Sequence, residues 1–178
     1  MHSESTTQWL SEQEAARARM RSGGATPGFA RPDQVTGKTG LEILDAMMAG
    51  TLPYPPMNDT MAMTPISAAA GRVIFQGTPE DRHCNPFGTA HGGWFSSLMD
   101  SALGCAVQSV LPAGRAYTTV ELHINIVRAA TPATGPLRAE ATVIHAGKQI
   151  ATAEVRVNDE HGKLYAHGTT TCIVLERP

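Results

Sequence analysis

Long apolar runs are missing from this chain of 178 residues. No stretch approaches the ~20 consecutive apolar residues of a membrane-spanning helix, so no membrane partner is expected. A dominant charge is missing too. Fourteen Lys and Arg against sixteen Asp and Glu leave a formal charge of −2. That gives nucleic acid no general electrostatic footprint, and an anionic ligand would need a local basic patch. Aromatic residues make up only 5% of a chain that is 42% hydrophobic, so the core must be mainly aliphatic. Cysteine is scarce, odd in number and scattered, at Cys84, Cys105 and Cys172. That fits a reducing compartment better than a disulfide framework. His83-Cys84 with His91 matches no common zinc spacing, and no second cysteine pair exists, so neither a metal nor another cofactor is expected. Near Met1 there is no apolar signal core, and Glu4, Glu12 and Glu14 argue against a transit peptide; the expected location is cytoplasmic.

What is present is concentrated between Asn85 and Asp100. Asn85-Pro86-Phe87-Gly88-Thr89-Ala90-His91-Gly92-Gly93 reads as a loop that opens a helix. Trp94, Phe95, Leu98, Met99, Ala102, Leu103, Ala106 and Val110 then recur at helical spacing. A glycine pair at a helix start lets a ligand approach the backbone, and the first N–H groups of a helix have no internal partner. These N–H groups also lie at the positive end of the helix dipole, which makes an oxyanion site. Asp100 interrupts the apolar run with one carboxylate, a costly group to bury unless it is used or paired.

Spacing carries a further consequence. Gly92 and Asp100 are eight residues apart, ~12 Å along a helix. An oxyanion donor and the group attacking the same carbonyl must both lie within ~3.5 Å of the reacting atoms. One copy of the chain cannot meet that condition. Two antiparallel copies of the helix across a two-fold axis can, with the glycine of one chain facing the aspartate of the other.

The length suggests one domain. Residues 1–39 read as an accessory N-terminal extension, mobile or surface-bound. A capping box at Ser11-Glu12-Gln13-Glu14 predicts a short polar helix ending near Arg21, and a Gly- and Pro-rich linker follows. Thr39-Gly40-Leu41-Glu42 is a second capping box, opening a short helix with an apolar face. Residues 60–68 and 72–76 form a hairpin about Ala70-Gly71. The long helix should run from Gly92 to about Val110. Four strands follow, the first with Val120, Leu122, Ile124 and Ile126 on a buried face and Thr119, Glu121, His123 and Asn125 on a polar one. A single antiparallel sheet wrapping the long helix is the economical arrangement.

Asn85, the His91-Gly92-Gly93 tripeptide, Asp100 and the Thr118–Asn125 strand together resemble the hotdog-fold acyl-CoA thioesterases, specifically the PaaI-like branch. The resemblance spans roughly residues 60–175 and leaves the extension uncovered. It implies an α+β hotdog fold over residues 40–178, with an antiparallel sheet wrapped around a long central helix. It also implies hydrolysis of acyl-CoA to a free acid and CoA. Gly92 would supply the oxyanion N–H, and Asp100 would be nucleophile or general base. Asn85 would orient thioester or water, and the Thr119 hydroxyl would hold the attacking water. Gly93 would border the substrate, with Arg128 and Lys148 at the CoA phosphates. His91 is the brace of the loop, a direct proton-transfer role being its alternative. Family members form homodimers that pair into homotetramers. Two other activities stay open on the residues: a hotdog enoyl-CoA hydratase or dehydratase, and a non-catalytic acyl-CoA-binding protein.

Overall fold

A computed structural model describes residues 4–177. Four helices come first: α1 (Glu4–Ser22), α2 (Pro32–Val35), α3 (Gly40–Met48) and α4 (Met57–Thr60). The hairpin β1 (Met63–Ala69) and β2 (Arg72–Gly77) precedes the long helix α5 (Gly92–Gln108). Strands β3 (Arg115–Ile126), β4 (Leu137–Ala146), β5 (Ile150–Asn158) and β6 (Leu164–Glu176) complete the chain. All six strands form one antiparallel sheet in the order β1-β2-β4-β5-β6-β3. This is the expected α+β hotdog arrangement, with α5 packed along the sheet's inner face.

The core follows from side-chain period. Along α5, Trp94, Phe95, Leu98, Met99, Ala102, Leu103, Ala106 and Val107 are buried. They meet the inward residues of the strands, among them Val73, Phe75, Leu137, Ala139, Ala141, Ala153, Val155 and Val157. Ala139, Ala141 and Ala153 leave room on the strand side for the bulkier side chains of the helix. Trp94, Phe95 and Met63 belong to this core, Met61 is half-buried and Met57 is exposed. The Thr39 capping box forms: Thr39 Oγ1 accepts from the Glu42 N–H, and the Glu42 carboxylate accepts from the Thr39 N–H at 2.7 Å. Gly71 takes a positive φ of 79° at the hairpin turn, a conformation that suits glycine.

Two details depart from the sequence reading. Helix α1 begins at Glu4, so Ser11 lies in its interior and does not cap it. The helix docks on the sheet face opposite α5, over Thr64, Gln76 and Arg138. The second departure is in β3. A bulge between Thr119 and Glu121 breaks the two-residue alternation. A bulge sets two residues opposite one, so Thr119 and Leu122 both turn toward α5. Val120, expected in the core, is instead 53% exposed. Among the described residues no helix is long and apolar enough to cross a membrane.

Candidate active site

The loop before α5 is held by its own backbone and by Asn85. The Asn85 N–H donates to the Thr89 carbonyl, and the Gly88 N–H donates back to the Asn85 carbonyl. The Asn85 side chain donates to Thr89 Oγ1 at 2.8 Å and accepts from the Phe87 and Thr89 N–H groups. In this chain, then, Asn85 braces the turn. Short bonds from Ala90 N–H to Ala130 and from His91 N–H to His83 anchor the loop to its neighbours.

His91 is the N-cap of α5. Its Nδ1 accepts from the Gly93 N–H at 2.9 Å. That bond requires Nδ1 to be the unprotonated nitrogen and commits the second amide of the helix. The Gly92 N–H, one residue earlier, has no acceptor among the described residues. Two orphan donors are thus treated differently, one satisfied by the cap and one left available at the positive helix end.

Asp100 lies two turns along the helix and is half-buried. Thr119 donates to its Oδ1 at 3.1 Å. The bulge in β3 makes this contact possible. Four residues further, Gly104 lies beneath Tyr117; a Cβ added there would be 2.2 Å from the tyrosine hydroxyl. Glycine in a helix interior costs ~1 kcal/mol relative to alanine, and here its bareness is what lets β3 come close. Gly92, Ser96, Asp100 and Gly104 fall at four-residue spacing, so they form one small, polar stripe on a helix that is otherwise apolar. Gly104 and Tyr117 escaped the sequence reading. The signal for the first was available, a glycine one turn beyond the acidic residue.

The groups around Asp100 are held neutral. Burial pushes the Cys105 thiol up to about 12, with the Asp100 carboxylate adding to the effect. Burial raises the Tyr117 hydroxyl well above its ordinary range, and Cys105 and Asp100 reinforce the shift. Cys172 is also raised, chiefly by burial. Such thiols are poor nucleophiles, because the thiolate is the reactive form. Among the described residues no group of three or more His, Cys, Asp or Glu is placed to hold a metal ion.

The two basic candidates sit apart. Arg128 follows β3, donates through Nε to the Leu164 carbonyl and lies over the Tyr165 ring at 5.8 Å. Lys148 is in the exposed β4–β5 turn, where Arg115 donates to its carbonyl at 2.6 Å. Because Arg115 begins β3, these cations lie at opposite ends of that strand, roughly 35 Å apart at ~3.3 Å per residue. A single copy therefore brings together Asp100 and Thr119, and Gly92, Gly93 and His91, but not the two sets with each other.

The sequence pattern of the Thioesterase superfamily matches residues 87–166, which contain all of these candidates but Asn85. Human acyl-coenzyme A thioesterase 13 is 32% identical over 111 residues, covering 61% of this chain and 77% of that protein. A Halobacterium salinarum protein named as an esterase is 39% identical over 72 residues, covering 39% of this chain; the chain spans 46% of that relative's length. The solved phenylacetic acid degradation protein PaaI of Thermus thermophilus superposes with a TM-score of 0.60 at 27% identity, over 66% of this chain and 97% of that one.

Proposed function

Since this chain belongs to the thioesterase superfamily and is a hotdog-fold thioester hydrolase of the PaaI-like kind, we propose that it cleaves acyl-CoA to a free acid and CoA in a site shared by two copies. The observation that carries this reading is the pairing of a free Gly92 N–H with an Asp100 that one chain holds out of its reach. The thioester carbonyl accepts a hydrogen bond from Gly92 of one protomer. That bond strengthens as the oxygen becomes anionic, so it favours the transition state. Asp100 of the other protomer either attacks the carbonyl carbon, expelling the CoA thiolate and leaving an acyl anhydride that water hydrolyses to the free acid, or takes a proton from a water that attacks the carbonyl. Thr119 holds that water against the carboxylate. The thiolate leaves readily, so the site needs no strong general acid.

The fold supports this assembly. Strand β3 is an edge, bonded to β6 on one side only, with Val120, Ile126 and Val127 exposed. Unpaired strand edges are ready templates for a second strand. Gly92 lies beside Ile126 of its own chain, and Asp100 beside Thr119. Antiparallel pairing of two β3 strands brings each Gly92 to the other chain's Asp100 when the axis passes midway, near Leu122 and His123. The same pairing carries Arg128 of one chain toward Arg115 and Lys148 of the other, where CoA phosphates would find three cations. The dimer pairing further into a homotetramer, and a cytoplasmic location, belong to the same proposal.

Mixing two inactive variants tests it, with free-thiol release from acyl-CoA as the readout. Asp100→Asn removes the carboxylate. Gly92→Pro removes the donor; proline fits the first helical position, and His91 already has the extended backbone that precedes proline. After joint refolding, half of random dimers are mixed and each holds one intact site, so roughly a quarter of sites recover. Each variant alone stays inactive. If both assemble normally and the mixture gains nothing, the shared site is wrong. If the wild type releases no thiol from any acyl-CoA, a hydratase or binding role replaces hydrolysis.

A further inference from the structure

A second cleft lies away from the catalytic stripe, where α1 crosses the β1 edge. Its volume is about 370 Å³, within the ~300–1,000 Å³ range of small-molecule sites. Gly92, Asp100 and Thr119 take no part in it. One wall is α1, with Arg17, Met20 and Arg21; the other is built by Tyr54, α4 and the start of β1.

Three side chains give the cleft its chemistry. Arg17 spends only Nε inside the protein, donating to Thr64 Oγ1 at 2.9 Å. No carboxylate lies within ion-pair distance of its guanidinium among the described residues, whereas Arg21 pairs with Glu14 and Arg82 with Glu80. Its two terminal nitrogens are a free fork of the kind that grips a planar anion. Asn58 is 6% exposed as a residue, and its side-chain amide makes no hydrogen bond to a described residue yet is not sealed from solvent, so it lines the cleft as a polar group open to a ligand. Tyr54 donates to Asp59 at 3.2 Å. Burial and the neighbouring Asp59 hold its hydroxyl above the ordinary range, so it stays protonated, while Arg17 and Arg21 pull the other way. Beneath these groups, Met20, Ala62 and Met63 make an apolar floor. Ala62 adopts a positive φ of 50°, a strained backbone for a residue with a Cβ.

We propose that this cleft is a binding site for an organic monocarboxylate, its carboxylate on the Arg17 fork and the Asn58 amide and its apolar body on the methionine floor. With Arg21 paired to Glu14 and Arg82 to Glu80, Arg17 is the one lining arginine without an ion pair among the described residues. One guanidinium fork takes one planar carboxylate, and a phosphate dianion or the polyphosphate of CoA would find no further unpaired cation in the lining. The site is independent of the hydrolytic stripe and belongs to the part of the chain outside the matched family pattern.

Calorimetric titration of the full chain tests it, with acetate, octanoate, phenylacetate, inorganic phosphate and free CoA as probes. Saturable binding of octanoate or phenylacetate is expected, tighter than acetate. Arg17→Lys keeps a charge but loses the fork, and Asn58→Ser loses the amide. Each should weaken that binding at least tenfold and leave the thiol-release rate unchanged. Asp100→Asn should bind the acid as the wild type does, which separates this cleft from product binding at the catalytic carboxylate. The proposal is overturned if no carboxylate binds saturably, or if phosphate or CoA alone registers on Arg17. It is also overturned if folded Arg17 and Asn58 variants bind the acid as tightly as wild type.

Discussion

The two edges of the sheet are finished in opposite ways. At the β1 edge the chain covers itself: α1 crosses the outer face, and Gln13, Ala16 and Met20 are buried there. Gln76, fully buried, donates to the Trp9 carbonyl and to Gln13. Arg138 pairs with Glu12 and lies 4.1 Å from the centre of the Trp9 ring. At the β3 edge twelve residues run with one side unpaired and three large aliphatic side chains exposed. The nineteen-residue α1 covers the edge away from Asp100. In the proposed shared site, the bare edge is the one that carries Thr119 beside Asp100 and Ile126 beside Gly92.

The largest effect should come from removing chemistry at the bare edge while leaving its shape. Asp100→Asn keeps the Thr119 contact in outline and loses the carboxylate, so kcat should fall at least ~10²-fold with the oligomer intact. Near-normal turnover in a thiol-release assay would end the catalytic assignment. Next comes the edge itself. Val120→Asp with Ile126→Asp places charge where a second strand would pair. Size-exclusion should then give monomers, and hydrolysis should drop by up to ~10²-fold, the scale of losing one oxyanion donor. A fully active monomer would detach the site from the edge.

The covered edge should respond in stability instead of rate. A chain starting at Thr39 opens Gln76 and Arg138 to water and loses the burial of Met20. Burying a Met side chain contributes ~1.5–3 kcal/mol, and ~2–4 °C of Tm accompanies each kcal/mol at this size, so Tm should fall by about 3–12 °C. Thermal melts read this directly, and the dimer should persist. An unchanged Tm would show that α1 adds no net stability. The smallest effect belongs to pH. The Arg138 hydrogen bond holds the Glu12 carboxyl below its ordinary range. A depressed carboxylate stabilises the fold above its unfolded pKa of ~4.3 and loses that contribution as pH falls through the lower folded value. Glu12 is partly exposed, so the term is small. Glu12→Gln should flatten the acid limb of the melting profile slightly and leave the neutral-pH limb nearly parallel to wild type. An acid limb as steep as wild type would show that Glu12 contributes nothing to it.

Most of the fold was legible because it rests on period and punctuation. The apolar recurrence from Trp94 to Val110, the glycine at position 71 and the Thr39–Glu42 box each announce their element, and each forms. The loop and its following acidic residue were legible as a helix start and a polar break in an apolar run for the same reason. What was hidden lay in register and in polar docking. Alternation through β3 reads evenly from Thr119 to Ile126, and nothing in composition marks the extra residue that turns Thr119 toward Asp100. Helix α1 holds to the sheet largely through Gln, Arg and Glu hydrogen bonds, which apolar periodicity does not detect.

Gly104 sets a distance by what it omits. The strand that carries Thr119 rests on the helix where a methyl group is missing, and the tyrosine hydroxyl fills that space. A single added carbon would meet the Tyr117 hydroxyl and force that ring to shift, two residues along β3 from the hydroxyl beside Asp100. On the proposed mechanism, the setting of the catalytic carboxylate would then depend on a residue with no functional group, one helical turn away, and a side chain at that position would cost both packing and turnover.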